Sequence, residues 1–176
     1  MYTVMGLDLS ISSTGLVVIK GDKLMLSMTT ANRKDLKIIE RVLLINSAVE
    51  RVILDYPPKL VVIEGLSYGS HSGMAVERSY LHWRLKEMLE CHGFNYVDVP
   101  PKSLKKFATG TGLADKKMVI SSVRDRWGVS FKDHNQSDAY VLSRIGNILV
   151  GYDDYNNLDK PSKQVIDSIR KRGVAF

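Results

Sequence analysis

One hundred and seventy-six residues suit one core, and 44% apolar with 25% charged side chains is too apolar for a disordered chain and too mixed for a bilayer protein. No apolar run approaches the roughly 18 residues of a membrane span, Met1–Gly6 lacks the basic start of a secretion signal, and the single Cys91 excludes intramolecular disulfides and paired-cysteine zinc sites. A single domain over 1–176 in the cytoplasm is therefore expected, and 25 basic against 19 acidic residues, with a pI near 9.4, make nucleic acid the first partner to test.

Residues 2–10 and 14–20 read as strands and 23–30 as a third, with Gly21-Asp22 a two-residue hairpin signal. From about Arg33 to Tyr56 the residues Ile38, Val42, Ile45, Val49 and Val52 recur at spacings of four and three, which marks one face of a helix that Pro57-Pro58 stops. Leu60–Ile63 is a short apolar run of the kind buried on both faces of a sheet. A Gly/Ser-rich loop follows from Gly65 to Gly73, then a helix over 74–91 and a short strand over 95–99 ended by Pro100-Pro101. Met74, Leu81, Leu85, Met88 and Leu89 can form an apolar stripe on that helix, mostly for the core but also available for two-fold pairing with a second copy. Helical signals run from about Ala114 to Trp127 and from Asn135 to Val150, with a last one after Pro161. The order predicts an α/β fold, one mixed sheet with helices on its faces.

Charge is concentrated in one segment. Between Pro101 and Lys132, eight basic residues (Lys102, Lys105, Lys106, Lys116, Lys117, Arg124, Arg126 and Lys132) face only Asp115 and Asp125, which accounts for the whole formal excess of +6. A second cluster, Arg170-Lys171-Arg172, lies near the C-terminus. A solvated surface explains many charge runs, but here the run lies beside a candidate metal site.

Asp8 interrupts the first apolar strand and Glu64 ends the fourth. A carboxylate among interior residues costs several kcal/mol, on the order of the penalty for any unpaired buried ion, unless it is paired or bound to a cation. Were the two strands neighbours, the carboxylates would lie about 4.8 Å apart at the backbone and could share one. A third acid, Asp138, falls in the first turns of the helix that Asp133 and Gln136 open as a capping box; His134 and Asn135 share its face. Such an oxygen-rich set suits Mg²⁺ or Mn²⁺.

Gly6-Leu7-Asp8-Leu9-Ser10 with Thr14-Gly15, then Val61–Glu64, Ser103–Lys106, Gly110–Lys116 and Ser137-Asp138-Ala139 resemble, in order and separation, the RuvC-type Holliday junction resolvases. The resemblance covers about Met5 to Ile148, and a compact chain with divergent loops fits a phage-type member, acting in the cytoplasm of a bacterial host. It implies an RNase H-like five-stranded mixed sheet with helices on both faces, a homodimer, and a divalent-metal endonuclease that makes paired nicks in four-way DNA junctions. Carried over by residue, it implies Asp8, Glu64 and Asp138 as metal ligands for two Mg²⁺ or Mn²⁺ ions, Asp8 bridging, with Lys116 adding charge at the transition state. Where the family carries an acid or histidine three residues before Asp138, this sequence has Asn135, so the fourth position falls to His134 or to the Asn135 amide oxygen.

Lys102, Lys105, Lys106, Lys117, Arg124 and Arg126 are candidate DNA contacts, and Tyr68 is the candidate aromatic that distorts the junction. Ser10, Ser12, Ser13 and Thr14 could touch phosphates or serve only the turn. Two alternatives remain: a junction-binding protein that has lost cutting, supported by Asn135, and an actin-like nucleotide-binding protein, supported by the Gly-Leu-Asp-Leu-Ser start. Length disfavours the second, no Walker loop is present, and Asp115 stands where a dinucleotide fingerprint needs its third glycine, so no nucleotide cofactor is expected.

Overall fold

Strands whose side chains alternate between two buried faces require a helical layer on each side. In the computed structural model, which describes residues 1–66 and 74–172, β1 (Thr3–Asp8), β2 (Gly15–Lys20), β3 (Lys23–Thr29), β4 (Leu60–Glu64) and β5 (Tyr96–Val99) form one sheet in the order β3-β2-β1-β4-β5. The first three strands are antiparallel, while β1–β4 and β4–β5 are parallel. Val4, Val17, Ile19, Leu60 and Val62 enter one core. Their sequence neighbours Met5, Leu7, Leu16, Val18, Val61 and Ile63 enter the other.

The second core is closed by α1 (Ile38–Asp55) and α2 (Ala75–Cys91). The first is closed by α3 (Pro101–Thr109), α4 (Lys116–Trp127), α5 (His134–Leu149) and α6 (Lys160–Arg170). The expected α/β sheet with helices on both faces is thus observed.

Three local expectations change, and the core reading of the α2 stripe holds for four of its five residues. The helix expected from Arg33 starts at Ile38, because Arg33 closes onto Asp35 at 2.6 Å and Glu40 accepts the Lys37 amide, fixing the start there. Pro101, read as ending a strand, opens α3, since proline at the first helical position lacks only an amide that would have no partner anyway. Leu81, Leu85, Met88 and Leu89 of the α2 stripe are core, leaving Met74 part-exposed and Val76, Tyr80 and Trp83 outward. Asp133 does cap α5, accepting from the Asn135 amide at 3.0 Å, but Gln136 turns away to Ser27 and Thr29 of β3 instead of closing a box.

The central packing contact is between α5 and the hairpin β1–β2. A Cβ on Gly6 would stand 1.9 Å from the Ala139 carbonyl oxygen, and one on Gly15 would stand 2.2 Å from that of Asn135. Both glycines therefore let helix backbone lie directly on strand backbone. Gly146, nearer the other end of α5, instead makes room for the side chains of Val4 and Val62.

Because backbone cannot yield as a side-chain tip can, Gly6→Ala should destabilise the fold by roughly 2–3 kcal/mol, the upper part of the range for overpacking. Equilibrium urea unfolding measures this, and a midpoint matching the wild type would mean that α5 can lift without cost.

Candidate active site

Side-chain parity sends three acids to the same place. Asp8 follows Val4 and Gly6 at intervals of two, and Glu64 follows Leu60 and Val62, so both point to the face covered by α5. The parallel register pairs Leu7 with Ile63, which sets Asp8 and Glu64 side by side at the strand ends. Asp138 enters from the first turns of α5, one helical turn after Asn135, whose backbone lies against Gly15.

All three acids line a cavity of about 590 Å³ with Lys105, Lys116, Asp133, His134, Asn135, Ser10, Ser12, Ser13 and Pro101. Its lip is the β1–β2 connection, tightened by hydrogen bonds from the Ser10 amide to Thr14 Oγ1 (3.1 Å) and from Thr14 Oγ1 to the Ser10 carbonyl (2.8 Å).

The electrostatics are unfavourable by design of the fold. Asp8 is only 8% exposed; burial first, then its hydrogen bond with Glu64 and that group's charge, push its carboxyl up to about 9. Burial also raises Glu64, so the pair holds a proton between two oxygens that would otherwise repel. Burial, followed by the Asp8 charge, lifts Asp138 to about 7, opposed by Lys116 and Lys105. Asp133 differs: burial would raise it, but the Thr29 hydroxyl and the Asn135 amide hold it below the usual range.

Among the described residues no three His, Cys, Asp or Glu groups stand at closed metal-ligating spacing. The donor chemistry nonetheless fits a hard divalent cation, because a cation would replace the proton on the Asp8–Glu64 pair and relieve all three acids together.

The fourth position is crowded. The Asn135 amide nitrogen donates to Ser13 Oγ at 2.9 Å, which leaves its oxygen as the free donor atom. His134 Nε2 lies 2.7 Å from Lys116 Nζ and its Nδ1 3.7 Å from Asp133.

The DNA candidates divide. Lys105 and Lys116 face the cavity, while Lys102, Lys117 and Arg124 are exposed. Lys106 reaches Gln164 of α6. Arg126 is otherwise engaged: its guanidinium donates to the carbonyls of Phe107 and Ala108, lies 3.6 Å from Asp159, and stacks over Trp127, tying α4 to α3 and α6. The fixed carbonyl and aromatic partners of Arg126 are invisible to a count of charges. Tyr68 and residues 67–73 lie outside the described residues. The sequence sets Gly6 and Gly15 in the motifs around Asp8 and Thr14 but does not show their packing role, for which a glycine inside a strand is the only signal.

The family model for crossover junction endodeoxyribonuclease RuvC matches residues 4–143. A curated relative, crossover junction endodeoxyribonuclease RuvC of Rickettsia felis, is 27% identical over 126 residues, spanning 69% of this chain and 80% of its own. The Thermus thermophilus RuvC structure superposes with a TM-score of 0.72 at 20% identity, covering 85% of this chain and 97% of the other. The same protein in complex with Holliday junction substrate gives 0.71 at 22% identity, covering 81% and 91%. At these identities the superpositions establish the fold, the RNase H-like arrangement expected from the sequence.

Raised carboxyl pKa values have a sign. The folded state keeps protons that the unfolded state releases above about pH 4, so in metal-free buffer stability falls as pH rises through about 7 for Asp138 and about 9 for Asp8. Asp138→Asn should flatten this decline between pH 5 and 8 and gain roughly 1–2 kcal/mol at pH 8, less than the full linkage because water reaches the cavity. Urea midpoints across a pH series in EDTA test it; an unchanged slope would mean Asp138 is already well solvated.

Proposed function

The chain belongs to the RuvC family of crossover junction endodeoxyribonucleases, and from that premise we propose that it resolves four-way DNA junctions by hydrolysing phosphodiesters at the cavity formed by Asp8, Glu64 and Asp138. The observation that carries this reading is the convergence of three acids, Asp8 buried and Glu64 and Asp138 half-buried, on one cavity rimmed by Lys105 and Lys116.

A divalent cation bound there, Mg²⁺ or Mn²⁺ and two per site in this reading, supplies neutralisation of the phosphate, activation of water and stabilisation of the leaving oxyanion. The residues do the rest. Asp8, which interacts with both Glu64 and Asp138, would be the shared ligand, with Glu64 and Asp138 each holding one ion. Asp133 stays ionised beside them, held by Thr29, and can accept a hydrogen bond from a water at the cavity edge. Lys116, steadied by its contact with His134, places positive charge where the phosphorane-like transition state gathers negative charge.

This arrangement removes the main support for a protein that binds without cutting. That reading depended on Asn135 as the weak fourth ligand, yet Asp133 and His134 bring an acid and an imidazole to the same cavity.

Two cuts placed symmetrically call for two copies of the site, and we assign a homodimer to this chain. The outward apolar side chains Val76 and Trp83 of α2, with Leu43, Leu44 and Leu54 of α1, support pairing through that layer, on the side of the sheet opposite α5.

Asp8→Asn should abolish nicking of a synthetic four-way junction in Mg²⁺ or Mn²⁺ while leaving junction binding in Ca²⁺ within a few fold, or tighter, since one negative charge facing phosphate is gone. Near-normal nicking by that variant would overturn the assignment. Lys116→Ala should lower the single-turnover rate by roughly 10²-fold with little change in Kd, as expected for a group used in the transition state. Should the affinity loss account for the whole defect, Lys116 would be a binding residue only.

A further inference from the structure

The family match ends at residue 143, and the chain continues through a 3-10 turn (Tyr155–Asn157) into α6. That helix docks beside the basic helix α3. Val165, Ile166 and Ile169 enter the same core as Leu104 and Phe107, the Ser162 hydroxyl donates to the Phe107 carbonyl at 3.2 Å, and Lys106 Nζ donates to Gln164 Oε1 at 2.6 Å.

The charges of this segment are sorted by sign. Asp159 caps α6 by accepting the Ser162 amide at 2.8 Å and faces Arg126; Asp154 caps the 3-10 turn. Asp167 accepts from the Tyr155 hydroxyl at 2.8 Å, and Asp153 pairs with the buried Arg144 at 2.9 Å. Each acid thus has a partner within the chain, although Asp154 and Asp159 are exposed. The cations Lys160, Arg170, Lys171 and Arg172 are exposed, with Arg170 resting over the Tyr155 ring. Lys160, Gln164 and Ser168 recur every four residues and lead to Lys171 and Arg172, one polar and cationic stripe along the outside of the helix. Through the Lys106–Gln164 contact the stripe adjoins Lys106 and Lys102, one turn apart on α3, whose neighbour Lys105 faces the catalytic cavity.

We infer that α6 and the residues just after it form a second DNA contact, in which Lys160, Lys171 and Arg172 hold the phosphate backbone of a junction arm away from the cut. The inference rests on the endonuclease reading above. Eleven helical residues extend about 16 Å, along which a duplex presents roughly nine phosphate charges, so several contacts fit. Amide and hydroxyl side chains interleaved with cations are the groups that meet phosphate and sugar rather than base edges, so this contact adds affinity without sequence preference.

The test compares wild type with the combined variant Lys160→Ala, Lys171→Ala, Arg172→Ala on a synthetic four-way junction, binding measured in Ca²⁺ across a salt series and nicking in Mg²⁺. Three lost phosphate contacts should make the slope of log K against log[salt] shallower by roughly 2–3, about 0.9 for each, while the single-turnover rate at saturating protein stays within about twofold. Trimming the arms to a few base pairs should weaken the wild type and leave the variant nearly unaffected, since the contact lies on the arm. Thermal unfolding checks that the exposed substitutions leave the fold intact, and Lys160→Glu alone should shift affinity in the same direction. A wild type that binds and nicks junctions while the triple variant keeps its salt slope, or loses equally on long and trimmed arms, overturns this contact alone. A wild type that neither binds nor nicks a junction overturns the endonuclease reading, and this contact with it.

Discussion

The backbone of α5 rests on the backbone of β1, and the active site depends on that contact. It is possible only because Gly6 and Gly15 present no Cβ to the carbonyls of Ala139 and Asn135. Strand parity brings Asp8 and Glu64 to the α5 face, but a helix held one side-chain layer further out would leave Asp138 too distant to join them. The glycines thus convert a generic sheet-and-helix sandwich into one with three acids around a single cavity. Gly146 serves the same approach nearer the other end of α5, where Val4 and Val62 fill the space its side chain would occupy.

The same closeness carries an energetic penalty. Asp8, Glu64 and Asp138 are driven toward neutrality by burial and by one another, so the unliganded site opposes the fold that makes it. Conflict of this kind, where local electrostatics oppose a well-packed core, is expected at a functional site. The surroundings are built to hold it: Thr29 and the α5 amide restrain Asp133, Ser13 restrains Asn135, and His134 and Lys116 restrain each other. Asp133, Asn135 and His134, at the start of α5, are thus oriented by partners from β3, from the β1–β2 connection and from α4.

Much of this was legible in the sequence because it rests on periodicity. Alternating and continuous apolar runs gave all five strands within two residues, and the acids interrupting them pointed to the strand ends. What was hidden depends on tertiary partners. Pro101 carries the same letters whether it ends a strand or opens a helix, and the choice of α3 follows from burying Leu104 and Phe107 against α5 and α6. Gln136 has the spacing of a capping box, yet Ser27 and Thr29 across the sheet compete for its amide and win. Arg126 counts as surface charge until two carbonyls and the Trp127 ring are seen around it. Residues 67–73, where Tyr68 lies, fall outside what the structure describes.

The placement of the remaining charge follows from the acids. Three carboxylates aimed at a polyanion would repel it, and the repulsion is strongest in a low-dielectric cavity. Cations must therefore lie close enough to matter within a Debye length of about 8 Å, yet outside the core. Residues 101–132 meet both conditions, because α3 and α4 pack on the α5 face and turn Lys105 and Lys116 into the cavity and Lys102, Lys117 and Arg124 outward. The opposite layer, α1 and α2, mixes acids such as Glu40, Glu50, Glu77 and Glu87 with basic side chains and leaves Leu43, Val76 and Trp83 uncovered. One sheet thus separates two surfaces: the α5 face carries the excess charge beside the acids, and the opposite face carries the exposed apolar side chains to which the proposed pairing is assigned.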